Sequence, residues 1–411
     1  MKNKSIATAL VGHFCERYDM ALYGYFSVML TPIFFPQAGE LALLASLGTF
    51  AAGYFMRPFG GLLFGYWGDK YGRKYAFSLS LLLIILPTLL IALLPSYAYL
   101  GVLSPIILII CRLTQGFCNG GEFSGAGIFT SEHCPPQQLG FTASLVAGTG
   151  ILGGAIGSLL GTIFIFFPKI ANSWRLPFLM GALLTLVGWF IRRKMSETPV
   201  FLKLANAKKT INNPIREVWQ TWKLNCIGAG IIAGFGHALL YITTIYMNVY
   251  YVKVLHVNHA KAMVITTSIL FLWVILSPIM GRLADKFSIH SFMRFSAWLV
   301  LIFSYPLFWY FTREPSLYKA LTIQILFSFI GAAYVAPISG LFLSFFPSQV
   351  RYTGVAFGVT LGQALLGGTA PMIALSLVNF FHDEKAPAIF LAIYSVAAIV
   401  AIKKFEKNAS Y

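Results

Sequence analysis

Acidic residues are scarce in this chain. Thirteen Asp and Glu stand against thirty Lys and Arg in 411 residues, and charged side chains make up only 10% of the total. Soluble domains devote about a quarter of their residues to charge, so an ordinary soluble protein is excluded. The net charge of +17 does not signal nucleic acid, because the basic residues fall on loops between apolar runs. Cysteine is sparse too. Cys15, Cys111, Cys118, Cys134 and Cys226 lie mostly inside apolar segments without metal-ligand spacing, which reads as buried free thiols and no metal site. There is no GxxxxGK[ST] phosphate loop and no soluble domain large enough to hold one. A membrane-embedded enzyme needs nucleophile, base and metal ligands near one surface, and His133 beside Cys134 is the only hint of one. No catalytic residue and no bound cofactor is expected.

What is abundant is apolar: 58% of residues, with a mean hydropathy of +0.75. At roughly 20 residues per span this length holds ten to twelve membrane helices, and the runs favour twelve. They fall near residues 6–34, 41–66, 76–95, 99–130, 141–167, 174–191, 224–252, 260–281, 292–312, 319–346, 353–381 and 386–402. The first run contains His13, Glu16, Arg17 and Asp19 and no small-residue cleavage site, so it is expected to remain as the first span. With the N-terminus inside, twenty Lys or Arg fall on inner loops and tails and seven on outer loops, which predicts cytoplasmic termini.

The chain repeats. Gly140, Gly148 and Gly154 recur as Gly354, Gly362 and Gly368, each 214 residues later, and Gly65-xxx-Asp69-Lys70 returns as Gly281-xxx-Asp285-Lys286 at an offset of 216. The polar stretch 192–223 separates the copies. The expected organisation is an N-terminal six-helix bundle (1–191), a cytoplasmic central loop (192–223) and a C-terminal six-helix bundle with a short tail (224–411), all α, with a binding site at the midplane between halves.

Ionisable residues inside apolar spans are costly and mark function or pairing. Arg112, Gln115, Asn119 and Glu122 recur at i, i+3, i+7, i+10 and form one polar stripe on the fourth span, while Glu16, Asp19 and Tyr23 share a face of the first. A carboxyl group's proton affinity changes with its partner, so Glu16, Asp19 and Glu122 are candidates for proton carriage, against the alternative of permanent ion pairs. Arg112 and Arg17 are candidates for a substrate carboxylate, because a guanidinium offers it two parallel donors. Arg57, beside Pro58, is a weaker one. On the seventh, tenth and eleventh spans, His237, Tyr241, Tyr334 and Gln363 are candidate pocket residues. The plainer reading of His237 is a hydrogen bond between helices.

Several stretches together resemble the major facilitator superfamily and, within it, metabolite:proton symporters such as proline/betaine, α-ketoglutarate, citrate and shikimate carriers. Gly65-Tyr-Trp-Gly-Asp69-Lys70-Tyr-Gly72-Arg73-Lys74 is similar to the superfamily's loop motif, and Arg112-xx-Gln115-Gly116-xxx-Gly120-Gly121-Glu122 to its fourth-helix motif. Residues 12–26, 174–201 and 346–371 resemble the narrower family, although Arg17 stands where its members usually carry an aromatic residue. The chain ends seven residues after Lys404, without the coiled-coil tail of some osmosensing carriers.

The resemblance implies a twelve-helix transporter of the cell (inner) membrane that imports a small carboxylate-bearing metabolite with protons, acting as a monomer with substrate and lipid bilayer as partners and no nucleic acid. Export of a metabolite or chelator on the same fold is the alternative. Asp69 lies where it can meet the positive N-terminal end of the eleventh span near Thr353, with Arg73 and Lys74 holding nearby acids or headgroups, so Gly65 to Lys74 is expected to latch the inner gate. Asp285 and Lys286 are a candidate second latch. Topology anchoring is the alternative for the basic residues.

Overall fold

The computed structural model describes residues 2–36, 42–167 and 174–406. Lys169, counted above on an outer loop, lies outside them. Among the described residues the chain forms twelve membrane-length helices and no strand: α1 (Lys2–Phe34), α2 (Ala42–Lys70), α3 (Arg73–Leu93), α4 (Leu103–His133), α5 (Leu139–Phe166), α6 (Arg175–Arg192), α7 (Lys223–Lys253), α8 (His259–Phe287), α9 (Ile289–Arg313), α10 (Leu317–Ser344), α11 (Arg351–Phe381) and α12 (Ala386–Glu406). Ten are apolar enough to qualify as spans by length and composition alone. The two that fall short, α1 and α2, carry buried His13, Glu16, Asp19 and Arg57. These polar and charged residues lower their hydropathy.

Successive helices run in opposite directions, so both ends of the described chain lie on one face, together with the α2–α3, α4–α5, α8–α9 and α10–α11 connections. Within the first six helices α1 packs on α5 and α6, α2 on α4, and α3 on α6. The last six repeat the scheme, with α7 on α11 and α12, α8 on α10, and α9 on α12. Two seams join the halves, α2 against α11 and α5 against α8, and they exchange under the six-helix repeat. The α2–α11 seam is built from small residues. A Cβ added at Gly65 would stand 2.5 Å from Thr353 Cα, and one at Gly61 2.8 Å from the Ala356 carbonyl.

Three helices are interrupted near the middle. α4 breaks at Gly120-Gly121, and α7 and α11 each contain a wide π-type turn, Ile242–Tyr246 and Gln363–Gly367. Such turns re-aim side chains within a helix and often mark functional positions.

The stretch 192–223 is less open than a loop. Arg192 ends α6 and is fully buried, so the loop begins one residue later than expected and one of its expected basic residues faces inward. Two short helices follow, Pro199–Asn206 capped by Thr198 and Pro214–Thr221 capped by Asn213. The second rests on α2 and α11 and forms one wall of an apolar cleft of about 580 Å³ that also touches Phe59 and Leu361.

Candidate functional site

Three polar groups occupy the bundle, and most of the residues singled out above belong to one of them. The first lies inside the N-terminal half. Asp19 Oδ2 accepts from Thr88 Oγ1 (2.6 Å) and Gln115 Nε2 (2.9 Å), while Arg112 Nη1 donates to Gln115 Oε1 (2.7 Å). Gln115 thereby joins an acid on α1 to an arginine on its own helix. Arg112 and Asp19 are fully buried, yet Arg112 Nε and Nη2 and Asp19 Oδ1 have no hydrogen-bond partner in the protein. Buried polar atoms are paired in most proteins, so open ones are candidate positions for a ligand. The Arg112 guanidinium stacks on Tyr23, 4.6 Å from the ring centroid, and Tyr23 in turn donates to the Ser46 carbonyl (3.2 Å).

Beside this group Glu16 lies 3.6 Å from Arg17 Nε and 3.8 Å from His13 Nδ1, and neither of its oxygens makes a hydrogen bond. Glu122 is different. Both its oxygens are held by Arg192, and Ser80 donates to Oε2 at 3.0 Å. His13, Glu16 and Glu122 come close enough for one ion, but the two-point Arg192 contact occupies the Glu122 carboxylate. Glu122 is therefore a paired acid, a correction to its place among the proton carriers. Asn119 is buried and its amide nitrogen has no partner.

The second group crosses between halves. Arg57 Nη1 donates to Gln363 Oε1 (3.3 Å), and Gln363 Nε2 donates to His237 Nε2 (3.0 Å). His237 Nδ1 then carries the hydrogen and gives it to the Ala233 carbonyl (3.0 Å). The Tyr54 and Tyr241 hydroxyls bond to each other, and Arg57 lies over the Tyr54 ring at 3.7 Å. Tyr334, an expected pocket residue, is placed elsewhere: its hydroxyl donates to the Ile232 carbonyl (3.3 Å) and its ring packs on Phe235, tying α10 to α7.

The third group closes the face that bears the chain ends. Asp69 accepts from the Tyr352 N–H (3.1 Å), the Thr353 N–H (2.8 Å) and Thr353 Oγ1 (2.8 Å), and Arg73 Nη1 stands 3.1 Å away. Arg73 also donates to the Gly68 and Ser348 carbonyls. Lys74 contributes its backbone N–H, which donates to Glu197, and among the described residues its side chain makes no ion pair with an acid. Gly72 has φ 121, a left-handed conformation that favours glycine, and a Cβ there would also meet Glu197, so this third glycine of the loop motif is required by the backbone. At the paired position Asp285 accepts from the Gly140 N–H (2.6 Å) and Phe141 N–H (2.9 Å) at the start of α5. Lys286 is exposed and takes no part in it.

Sequence reasoning missed four residues here. Glu132 accepts from Arg351 Nη1 (3.1 Å) and Thr198 Oγ1 (2.7 Å), linking α4, α11 and the central segment. His13, Arg192 and Arg57 were passed over or ranked low. A basic residue at a helix end reads as an anchor, and only the burial of Arg192 separates it from Arg193.

The model of the Major Facilitator Superfamily matches residues 9–371. The proline/betaine transporter of Salmonella typhimurium is 29% identical, over 99% of this chain and 84% of its own. The citrate-proton symporter of Klebsiella pneumoniae is 27% identical, over 95% and 88%. The solved proton:xylose symporter XylE bound to 6-bromo-6-deoxy-D-glucose superposes with a TM-score of 0.80 at 16% identity, over 99% of this chain and 95% of its own. These relatives are transporters and not enzymes. The chain belongs to the Major Facilitator Superfamily, as a transporter of small molecules.

Proposed function

We propose that this transporter imports a small carboxylate-bearing metabolite together with protons, by alternating access between two six-helix bundles, residues 1–191 and 224–411, joined by 192–223. The observation that carries the reading is the pair Arg112 and Asp19. A fully buried guanidinium has two donor nitrogens with no protein partner, and the acid tied to it through Gln115 has one free oxygen. A substrate carboxylate completes the Arg112 hydrogen bonds, and a proton on Asp19 removes the charge that competes for the same arginine. Binding of each therefore favours the other. Glu16, with Arg17 and His13 at its side, is a second proton acceptor.

In this reading both termini are cytoplasmic, the membrane is the cell inner membrane, and a single chain is the working unit. Asp69, Arg73, Glu132 and Arg351 then hold the cytoplasmic gate shut, with Asp285 as the matching latch. Release inward requires those contacts to part. The proline/betaine transporter and the citrate-proton symporter among the relatives support a carboxylate-bearing solute.

The test is uptake by proteoliposomes holding the purified protein, given a pooled panel of labelled amino acids, betaines and organic acids under an inward proton gradient. Gradient-dependent accumulation of one compound, lost in Arg112→Ala, is the expected result. Release of a preloaded compound against its gradient, with no uptake, would sink import and leave export.

A further inference from the structure

Four aromatic rings at the centre of the bundle, Tyr23, Phe50, Tyr54 and Phe123, each carry one of the protein's own guanidiniums. Arg57 lies 3.7 Å from the centroid of Tyr54, Arg112 4.6 Å from Tyr23 and 5.6 Å from Phe50, and Arg17 5.5 Å from Phe123. A quaternary or secondary ammonium needs such faces, or an unmatched carboxylate, to replace its hydration. Here those four rings already face guanidiniums, and the carboxylates are outnumbered. Three guanidiniums, Arg17, Arg57 and Arg112, share the region with two acids, Glu16 and Asp19, while Glu122 is matched by Arg192. One positive charge is in excess, and protonation of either acid makes it two.

The open donors point the same way. Arg112 Nε and Nη2 belong to the N-terminal half alone, whereas Arg57 Nε, also buried and unpartnered, sits at the seam beside Gln363 of the other half. Two buried guanidiniums with open donors in separate places suit an anion with two separated carboxylates. A single-carboxylate zwitterion leaves one of them unmet, and its ammonium adds a like charge to a region that already has cations in excess.

We infer that the substrate is a di- or tricarboxylate, with one carboxylate on Arg112 and a second on Arg57, Arg17 being positioned to add to it, and that zwitterions such as proline and glycine betaine are excluded. This rests on the transport reading above and narrows it. The Arg57–Gln363–His237 chain gives the second carboxylate a further consequence: competing with Gln363 for Arg57, it loosens a bond between the two halves.

Calorimetric titration of the protein in lipid nanodiscs separates the classes, using citrate, succinate, its monoamide succinamate, proline and glycine betaine. Expected are binding of citrate or succinate, a loss of about tenfold or more for succinamate relative to succinate, and no binding of proline or glycine betaine. Arg57→Gln should weaken the diacid about ten- to a hundredfold and leave succinamate within about threefold. Arg17→Gln, at a half-open position, gives a smaller loss of the same kind if Arg57→Gln does not fold. Binding of glycine betaine or proline, equal affinity for succinate and succinamate, or no binding by either polycarboxylate would overturn the assignment. Gradient-driven uptake of proline would overturn it too and leave the transport reading intact. Succinate binding without proton-driven accumulation would remove proton coupling and leave the assignment standing.

Discussion

Asp69 and Thr353 meet across the seam between α2 and α11, 2.8 Å from oxygen to backbone nitrogen and 2.8 Å to the threonine hydroxyl. The contact joins a helix C-terminal acid to the first turn of another helix. Charge at such an end is worth about 0.3–1 kcal/mol when exposed and up to ~2 when partly buried. Asp69→Asn keeps one acceptor oxygen and loses the charge, so the gate should open more readily. Spin labels on the ends of α2 and α11 should report a longer mean distance, and an unchanged distribution would count against Asp69 as a latch.

Gly65→Val tests the same seam by shape. Its side chain has to fit where Thr353 Cα would stand 2.5 Å from a Cβ, so α2 and α11 cannot close. The same labels should show a population held apart, and substrate uptake should fall at least tenfold. Normal closure would mean that the helices can shift at no cost.

Asp19→Asn should separate exchange from accumulation. The amide can still accept from Thr88 but carries no titrating proton, so counterflow of preloaded substrate persists while gradient-driven uptake is lost. Accumulation at the wild-type level would transfer the coupling role to Glu16.

Glu122 and Arg192 form a structural pair, and their energetics should show it. Arg192→Met leaves a buried carboxylate unmatched, at a cost of about 3–5 kcal/mol, and Arg192→Met with Glu122→Gln should recover most of it. Thermal unfolding in detergent measures both. A single variant as stable as the parent would return Glu122 to the coupling candidates.

Glu197 supplies a pH signature outside the membrane. Burial raises its carboxyl above the ordinary glutamate value, against the N–H groups of Thr198 and Lys74 and the charge of Arg73, which lower it. A raised acid pKa means that the fold favours the protonated form. Its contribution is therefore full below the ordinary value and is lost as pH rises through the raised one. Glu197→Gln should flatten the change in melting temperature between about pH 4 and pH 8. A steeper change in the variant would refute the sign.

The fold was legible because hydropathy and repetition are local properties. Asp69 and Asp285, 216 residues apart, do equivalent work at the starts of α11 and α5, and the repeat alone paired them. The site was legible only in part. Arg112, Gln115 and Asp19 could be picked out because charge inside an apolar run is conspicuous, yet their partner Thr88 gives no such signal. Arg192 and Glu132 stand near the ends of runs, where charge is ordinary, and their burial depends on helices brought from 70 and 219 residues away. Tyr334 failed for the opposite reason: a tyrosine within a span looks the same whether its hydroxyl meets solute or a neighbouring carbonyl.

In the alternating-access reading, the small residues of the α2–α11 seam bear on how readily the two halves part and close. Side chains that interdigitate must be frozen into one rotamer on each closure and released on each opening, at up to about 2 kcal/mol for a long one. Gly61 and Gly65 have no rotamers to freeze. The resistance to opening then rests in a few short polar contacts that vanish within a small displacement, so the barrier is narrow and both directions of the motion stay accessible.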